Sequence, residues 1–173
     1  MIEGSGGPTS SQITFRRPRV ADGAAMWRIA RDSGGLDVNS PYSYLLWCRD
    51  FPATSAVGCL DGEVVAFATG YRRPDEPDTL FVWQVAVAGG HRRRRVGLGL
   101  LDALVAQATR SGPVTFVEAT VTPGNPASRR LFESFAAARG CDLRTRPLFG
   151  APDFASAASH EDEVLHRIGP LAR

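Results

Sequence analysis

The sequence predicts a single α/β domain, with strands and helices arranged around one sheet. Three observations carry this. The chain of 173 residues suits one domain with a sizeable core. Apolar residues switch along it between the two-residue period of strands and the 3.6-residue period of helices. Near the middle, the uncharged, β-branched run Thr79–Val87 (TLFVWQVAV) has the composition of a buried strand. It passes through AGGHRRRR into VGLGLLD, where Leu98, Leu101, Leu104 and Val105 share one helical face.

In chain order, residues 1–11 (MIEGSGGPTSS) are Gly/Ser-rich and aperiodic and read as a disordered tail, with the domain running over 12–173. Residues 13–17 alternate as a first strand. Asp22 can cap a helix over 24–30 that Gly34-Gly35 stops. Ser40 at N-cap and Pro41 at N1 start a second helix with Leu45, Leu46 and Cys48 on its apolar face. Residues 54–60 and 63–71 are strands joined by Asp61-Gly62, a hairpin turn. The proline-broken loop RRPDEPD leads to the central strand and its helix, which ends near Ala108. Ser111-Gly112-Pro113 breaks the chain before a strand over 114–121. Asn125 caps a further helix with Pro126 at N1, running to Gly140. Residues 143–148 read as a strand, 150–159 as a loop and Glu163–Ile168 as a closing strand.

Composition narrows the function. The formal charge of +2 gives no bulk argument for nucleic acid. No apolar run approaches the roughly 20 residues of a membrane span, and the N-terminal stretch has no secretory pattern, so the reading is a cytoplasmic protein. Cys48, Cys59 and Cys141 are widely spaced and read as reduced thiols, with no metal-ligand spacing among Cys, His and carboxylates. Every basic side chain apart from histidine is arginine, which excludes Schiff-base and P-loop lysine chemistry.

The strand–turn–helix is a place for a phosphate. The first amides of a helix have no internal partner, the helix dipole adds positive charge there, and glycines at 97 and 99 remove Cβ atoms that would hold an anion away. Arg92 to Arg95 read either as a solvated charge run or nucleic-acid patch, or as pyrophosphate partners; the adjoining glycines and helix start favour the second. Glu118, in the otherwise apolar VTFVEATV, shares a face with Phe116 and Thr120. A buried acid is costly unless used or paired, so Glu118 either serves a ligand or pairs with an arginine.

Residues 79–110 resemble the acetyl-CoA-binding core of the GCN5-related N-acetyltransferase (GNAT) family. The family pattern Arg/Gln-x-x-Gly-x-Gly/Ala is met by Arg94, Arg95, Val96, Gly97, Leu98 and Gly99. Its second pattern, Asn-x-x-Ala/Ser-x-x-Leu-Tyr/Phe, is met by Asn125, Ser128, Leu131 and Phe132. The segments LDVNSPYSYLLWCRDF, TGYRRPDEPDTLFVWQVAV, EATVTPGNPASRRLF and EDEVLHRIGP are similar to the branch of that family that acetylates L-2,4-diaminobutyrate in ectoine synthesis. The similarity extends over residues 13–170. It implies a mixed, mostly antiparallel central sheet flanked by helices, acetyl-CoA as co-substrate without a metal, a small-molecule amine substrate, and a homodimer.

Site roles follow from that resemblance. The backbone of Val85, Ala86 and Val87 pairs with pantetheine like an added strand. Amides of Arg95, Val96, Gly97, Leu98, Gly99 and Leu100 cradle the pyrophosphate, and Arg92, Arg94 and Arg95 neutralise it. Asn125, Ser128 and Phe132 complete the cofactor side, with Asn125 also an N-cap. For the substrate, Glu118 takes an amine and relays its proton, and Asp37 binds an ammonium unless it is merely a loop residue. Tyr42, Trp83, Thr120 and Asn125 wall the pocket, and His160 meets the substrate carboxylate or relays a proton. Two departures stand out. Arg95 replaces the usual glycine, and Phe132 replaces the tyrosine that many members use to protonate the leaving thiolate. The competing readings are a general small-amine or peptide N-acetyltransferase, and an acyl-CoA sensor without turnover.

Overall fold

A computed structural model describes residues 12–92, 95–154 and 161–172. Seven strands form one sheet in the order β1-β2-β3-β4-β5-β7-β6. They are β1 (Thr14–Arg16), β2 (Ala56–Leu60), β3 (Glu63–Arg72), β4 (Thr79–Val87), β5 (Phe116–Val121), β6 (Leu143–Phe149) and β7 (Glu163–Ile168). The helices are α1 (Gly23–Ser33), α2 (Pro41–Asp50), α3 (Val96–Thr109) and α4 (Pro126–Ala138). Only β4 and β5 run parallel, and α3 is their crossover; the other neighbours are antiparallel. The expected mixed, mostly antiparallel sheet is therefore present.

Local chemistry explains most boundaries. Asp61 and Gly62 both take positive φ (51° and 87°), as a two-residue hairpin with the twist of its strands requires. Gly34 ends α1 in the left-handed conformation, φ 68°. Two expected caps differ. Asp22 does not cap α1; its carboxylate takes the Arg16 guanidinium at 2.6 and 2.9 Å and the Arg19 amide at 2.6 Å. Ser40 spends its hydroxyl on Ser43, leaving Pro41 to start α2.

Each sheet face has its own core. On one, Leu80, Val82, Val117 and Ile168 pack against Leu100, Leu101 and Leu104 of α3 and Phe132 and Phe135 of α4. On the other, Val57 and Phe67 meet Met26 and Ile29 of α1 and Tyr44 and Cys48 of α2. Cys48, Cys59 and Cys141 are free thiols, and burial pushes the Cys48 thiol up to about 11, as suits inert core sulfur.

The Arg16–Asp22 pair has a pH consequence. Arg16 holds the Asp22 carboxyl below its ordinary value of 3.8. A depressed carboxyl contributes stability that is full above its unfolded value and lost as pH falls through its folded one. Arg16→Leu is therefore expected to lose less stability than the parent between about pH 5 and pH 3, measured by urea denaturation.

Candidate active site

The site begins with a fault in β4. Thr69 of β3 pairs with Gln84, but Gly70 pairs with Val82, so Trp83 is an extra residue in β4. Such a bulge increases local twist and bends the strand. Gly70 permits it, because a Cβ there would lie 2.6 Å from the Phe81 carbonyl oxygen. Pairing between β4 and β5 stops at the same point: it runs from Thr79↔Phe116 to Val82↔Ala119 and goes no further, although both strands continue. The strands splay beyond Val82, and the far half of β4 presents an unpaired edge.

A groove of about 560 Å³ fills this splay. Val85, Ala86 and Val87 form one wall, the α4 N-cap Asn125 with Ser128 and Leu131 of α4 the other, and Ser33, Gly35 and Leu36 at the end of α1 border it. Arg92, Arg95, Val96, Gly97 and Leu98 close the end, where α3 begins. The first intrahelical bond of α3 runs from Gly99 N to Arg95 O (3.1 Å), so the amides of residues 96–98 precede the helical ladder. Asn125 accepts the Ser128 amide at 3.0 Å and lines the groove as well, so the cap is real and compatible with a ligand role.

Several expectations need correction. Leu100 and Phe132 are buried in the α3/α4 core and do not line the groove. Gly99 is also outside it; a Cβ there would stand 2.6 Å from Phe15 Cε2, so its missing side chain serves β1 packing and not an anion. Gly97 lines the groove, but a Cβ would meet Leu131 at 3.0 Å, so it too lets helices approach. Gly99→Ala is accordingly expected to lower stability by about 2 kcal/mol in thermal melts while leaving the acetyl-CoA KM within about twofold; trimming Phe15 to Leu in the same chain restores most of the loss. Arg92 is partly committed, donating to Val87 O at 3.2 Å and Ser33 O at 3.0 Å. Arg94 and His160 lie outside the described residues.

Arg95 is the N-cap of α3 at φ 58°, ψ 16°. That left-handed conformation explains why glycine is usual there: a side chain costs about 1 kcal/mol or more. Its exposed side chain stands at the groove end.

On the face opposite α3 and α4, Phe81, Glu118 and Arg167 align across β4, β5 and β7. Glu118 is only 2 % exposed, and each of its oxygens accepts from an arginine: Oε1 from Arg167 at 2.5 Å, Oε2 from Arg73 at 3.3 Å. Glu76 bridges the same arginines at 2.9 Å each, closing a ring of two acids and two bases. The Arg167 guanidinium also covers the Phe116 ring at 3.9 Å. Of the two expectations for Glu118, the arginine pairing is present in the structure. Arg167 holds the Glu76 carboxyl below its usual range.

Trp83 (50 % exposed) and Tyr42 (65 %) are surface residues, and Asp37 is exposed in the loop before α2. Thr120 is half-buried, on the Glu118 face as strict alternation requires. None of these four lines the groove; Trp83 stands at the bulge where the groove begins. Sequence reasoning missed Gln84, Tyr44, Arg73, Glu76 and Arg167. A glutamine inside an apolar strand was a usable signal. The arginine contacts to Glu118 span 45 and 49 residues of sequence, which no local pattern reports.

Among the described residues no group of three His, Cys, Asp or Glu could hold a metal, and no helix is long and apolar enough to cross a membrane.

The model of the acetyltransferase (GNAT) family matches residues 24–137. The chain is a GNAT acetyltransferase. Among curated relatives of this acetyltransferase, the L-2,4-diaminobutyric acid acetyltransferase of Streptomyces coelicolor is 58 % identical over 94 % of this chain and 95 % of its own. That of Nocardia farcinica is 48 % identical over 92 % and 81 %. Among solved structures, the diaminobutyrate acetyltransferase of Paenibacillus lautus, in complex with L-2,4-diaminobutyric acid and coenzyme A, superposes with TM-score 0.89. It is 40 % identical over 95 % of this chain and 98 % of its own. A Salmonella typhimurium acetyltransferase with acetyl-CoA shares the fold at TM-score 0.71 and 20 % identity.

Proposed function

We propose that this acetyltransferase transfers the acetyl group of acetyl-CoA to the γ-amino group of L-2,4-diaminobutyrate, a step of ectoine synthesis. The observation that carries the reading is the groove opened by the β4 bulge, within a chain similar along nearly its whole length to proteins named for this activity. The unpaired edge of Val85, Ala86 and Val87 pairs with the pantetheine arm, and the α3 amides of residues 96–98 take the pyrophosphate, with Arg95 beside them.

The reaction needs a neutral amine at the thioester carbon and a donor for the developing oxyanion. A main-chain amide of the splayed strand is that donor. Attack forms the C–N bond; collapse of the tetrahedral species breaks the C–S bond and releases the thiolate, and the proton lost by nitrogen passes to water. Phe132, buried and without an acidic proton, does not protonate sulfur, and the modest basicity of a thiolate lets it leave unassisted. Asp37, Tyr42, Trp83 and Thr120, which lie outside the lining of the cofactor groove, clamp the α-amino and α-carboxylate groups so that the γ-amine points at the thioester. The Glu118 ring holds that face of the sheet in shape.

The acetyltransferase domain is read as 12–173, in a cytoplasmic homodimer; β6, an exposed edge strand, is a surface that a second copy fits. The test of substrate class is kcat/KM for diaminobutyrate, ornithine, lysine and a short peptide. Diaminobutyrate is expected to lead; equal values would favour a general amine acetyltransferase.

A further inference from the structure

Gln84 is buried immediately after the bulged Trp83, opposite the fully buried Thr69. A primary amide taken out of water needs partners at both ends. Gln84 finds them on a segment outside the sheet. Its Nε2 donates to the Asp37 main-chain carbonyl at 2.8 Å, and its Oε1 accepts from the Tyr44 hydroxyl at 3.1 Å. Tyr44 is 1 % exposed, with its ring edge on Phe67. One amide thus joins the bulge to both ends of the segment that carries Asp37 and Tyr42. That segment has little else to hold it: Asp37, Val38, Ser40 and Tyr42 are exposed, and the Ser40 hydroxyl is turned to Ser43.

We propose that Gln84, acting through Tyr44, is a positioning residue that pins residues 37–42 to the β4 bulge and thereby sets the affinity for the amine substrate. The inference rests on the functional reading above, because Asp37 and Tyr42 face substrate only in that reading. It differs from a plain packing role in what it moves. The cofactor groove is walled by Val85, Ala86, Val87, α3 and α4 and bordered by Ser33, Gly35 and Leu36; the Gln84 side chain bonds none of these directly, its partners being the Asp37 carbonyl and the Tyr44 hydroxyl. Loosening the tether at Asp37 therefore acts more on the amine side than on the acetyl-CoA side, whose main walls are Val85–Val87, α3 and α4.

The experiment compares the full chain with Gln84→Glu, which keeps an acceptor and loses the donor to Asp37, and with Tyr44→Phe, which removes one hydroxyl and keeps the buried ring. Each is expected to raise the diaminobutyrate KM about tenfold, with kcat changed less than about threefold and the acetyl-CoA KM within about twofold. Hydrogen exchange of the amides of residues 36–40 is expected to quicken about tenfold, with exchange in α3 unchanged. The exchange readout needs no substrate, so it judges the tether even if diaminobutyrate is not turned over by the parent chain, an outcome that would defeat the functional reading instead. Unchanged exchange overturns the proposal. So does quickened exchange with an unchanged diaminobutyrate KM, or an equal rise in both KM values.

Discussion

Arg167→Ala lowers the stability of this chain by about 3 kcal/mol, a fall in Tm of roughly 9 °C for a domain of this size. Glu118 is the most buried charge on its sheet face, 2 % exposed, whereas Arg73 and Arg167 each keep 31 % of their side chains in solvent. Removing Arg167 takes away the 2.5 Å partner and leaves Arg73 at 3.3 Å as the remaining arginine contact of Glu118 among the described residues. A buried charge stripped of a partner pays its desolvation cost uncompensated; the partial exposure of the arginines sets the estimate at the low end of the range for broken buried pairs. Lost coverage of Phe116 adds to it. The pairing itself is tested by the double variant Glu118→Gln/Arg167→Ala, which is expected to recover about 1 kcal/mol or more of the loss, since the orphaned charge is gone. Thermal or urea denaturation of the parent, Arg167→Ala, Glu118→Gln and the double variant closes the cycle. A single variant within 1 kcal/mol of the parent, or a double variant no better than Arg167→Ala, would show that the ring is surface decoration.

Arg95→Glu raises the acetyl-CoA KM about thirtyfold, and Arg95→Gly raises it only a few-fold while leaving Tm level or slightly higher. The position carries two opposed demands. Its backbone sits at φ 58°, where glycine is at ease and arginine is strained by about 1 kcal/mol. Its side chain lies at the groove end beside the first amides of α3, where pyrophosphate charge would collect. Glycine removes strain and one favourable charge together. Glutamate keeps the strain and reverses the charge, worth about 2 kcal/mol against a doubly charged group at partly solvated range. Raising ionic strength narrows the gap between parent and Arg95→Glu. Equal KM values for the two variants would remove Arg95 from the phosphate site.

Local chemistry made much of the fold legible. Asp61-Gly62 fixed the β2–β3 hairpin, Gly34 the end of α1, and Asn125-Pro126 the start of α4, because each depends on residues adjacent in sequence. The position of the groove was legible for the same reason, since strand, turn and helix are contiguous. What stayed hidden depends on partners. TLFVWQVAV shows no break at Trp83 because the bulge is defined by the register of β3, where Gly70 admits the Phe81 carbonyl. Glu118 was legible only as a choice between a ligand and an ion pair, because its partners Arg73 and Arg167 come from the loop after β3 and from β7, far away in sequence. Gly99 looked like part of a phosphate loop because its real neighbour, Phe15, lies more than eighty residues earlier. Phe132 followed a family pattern that names positions, while its side chain turns into the core, as does that of Leu100, which was expected for its main-chain amide.

The most direct measurement is the product itself. The purified chain is incubated with acetyl-CoA and L-2,4-diaminobutyrate, free thiol is followed with a chromogenic disulfide, and the amine product is examined by NMR. A groove that holds acetyl-CoA beside the bulge, with the α-amino and α-carboxylate groups clamped by residues 37–42 and Trp83, gives one thiol per acetylated amine and acetylation at the γ-nitrogen only. No amine-dependent thiol release, or acetylation at the α-nitrogen, would contradict it.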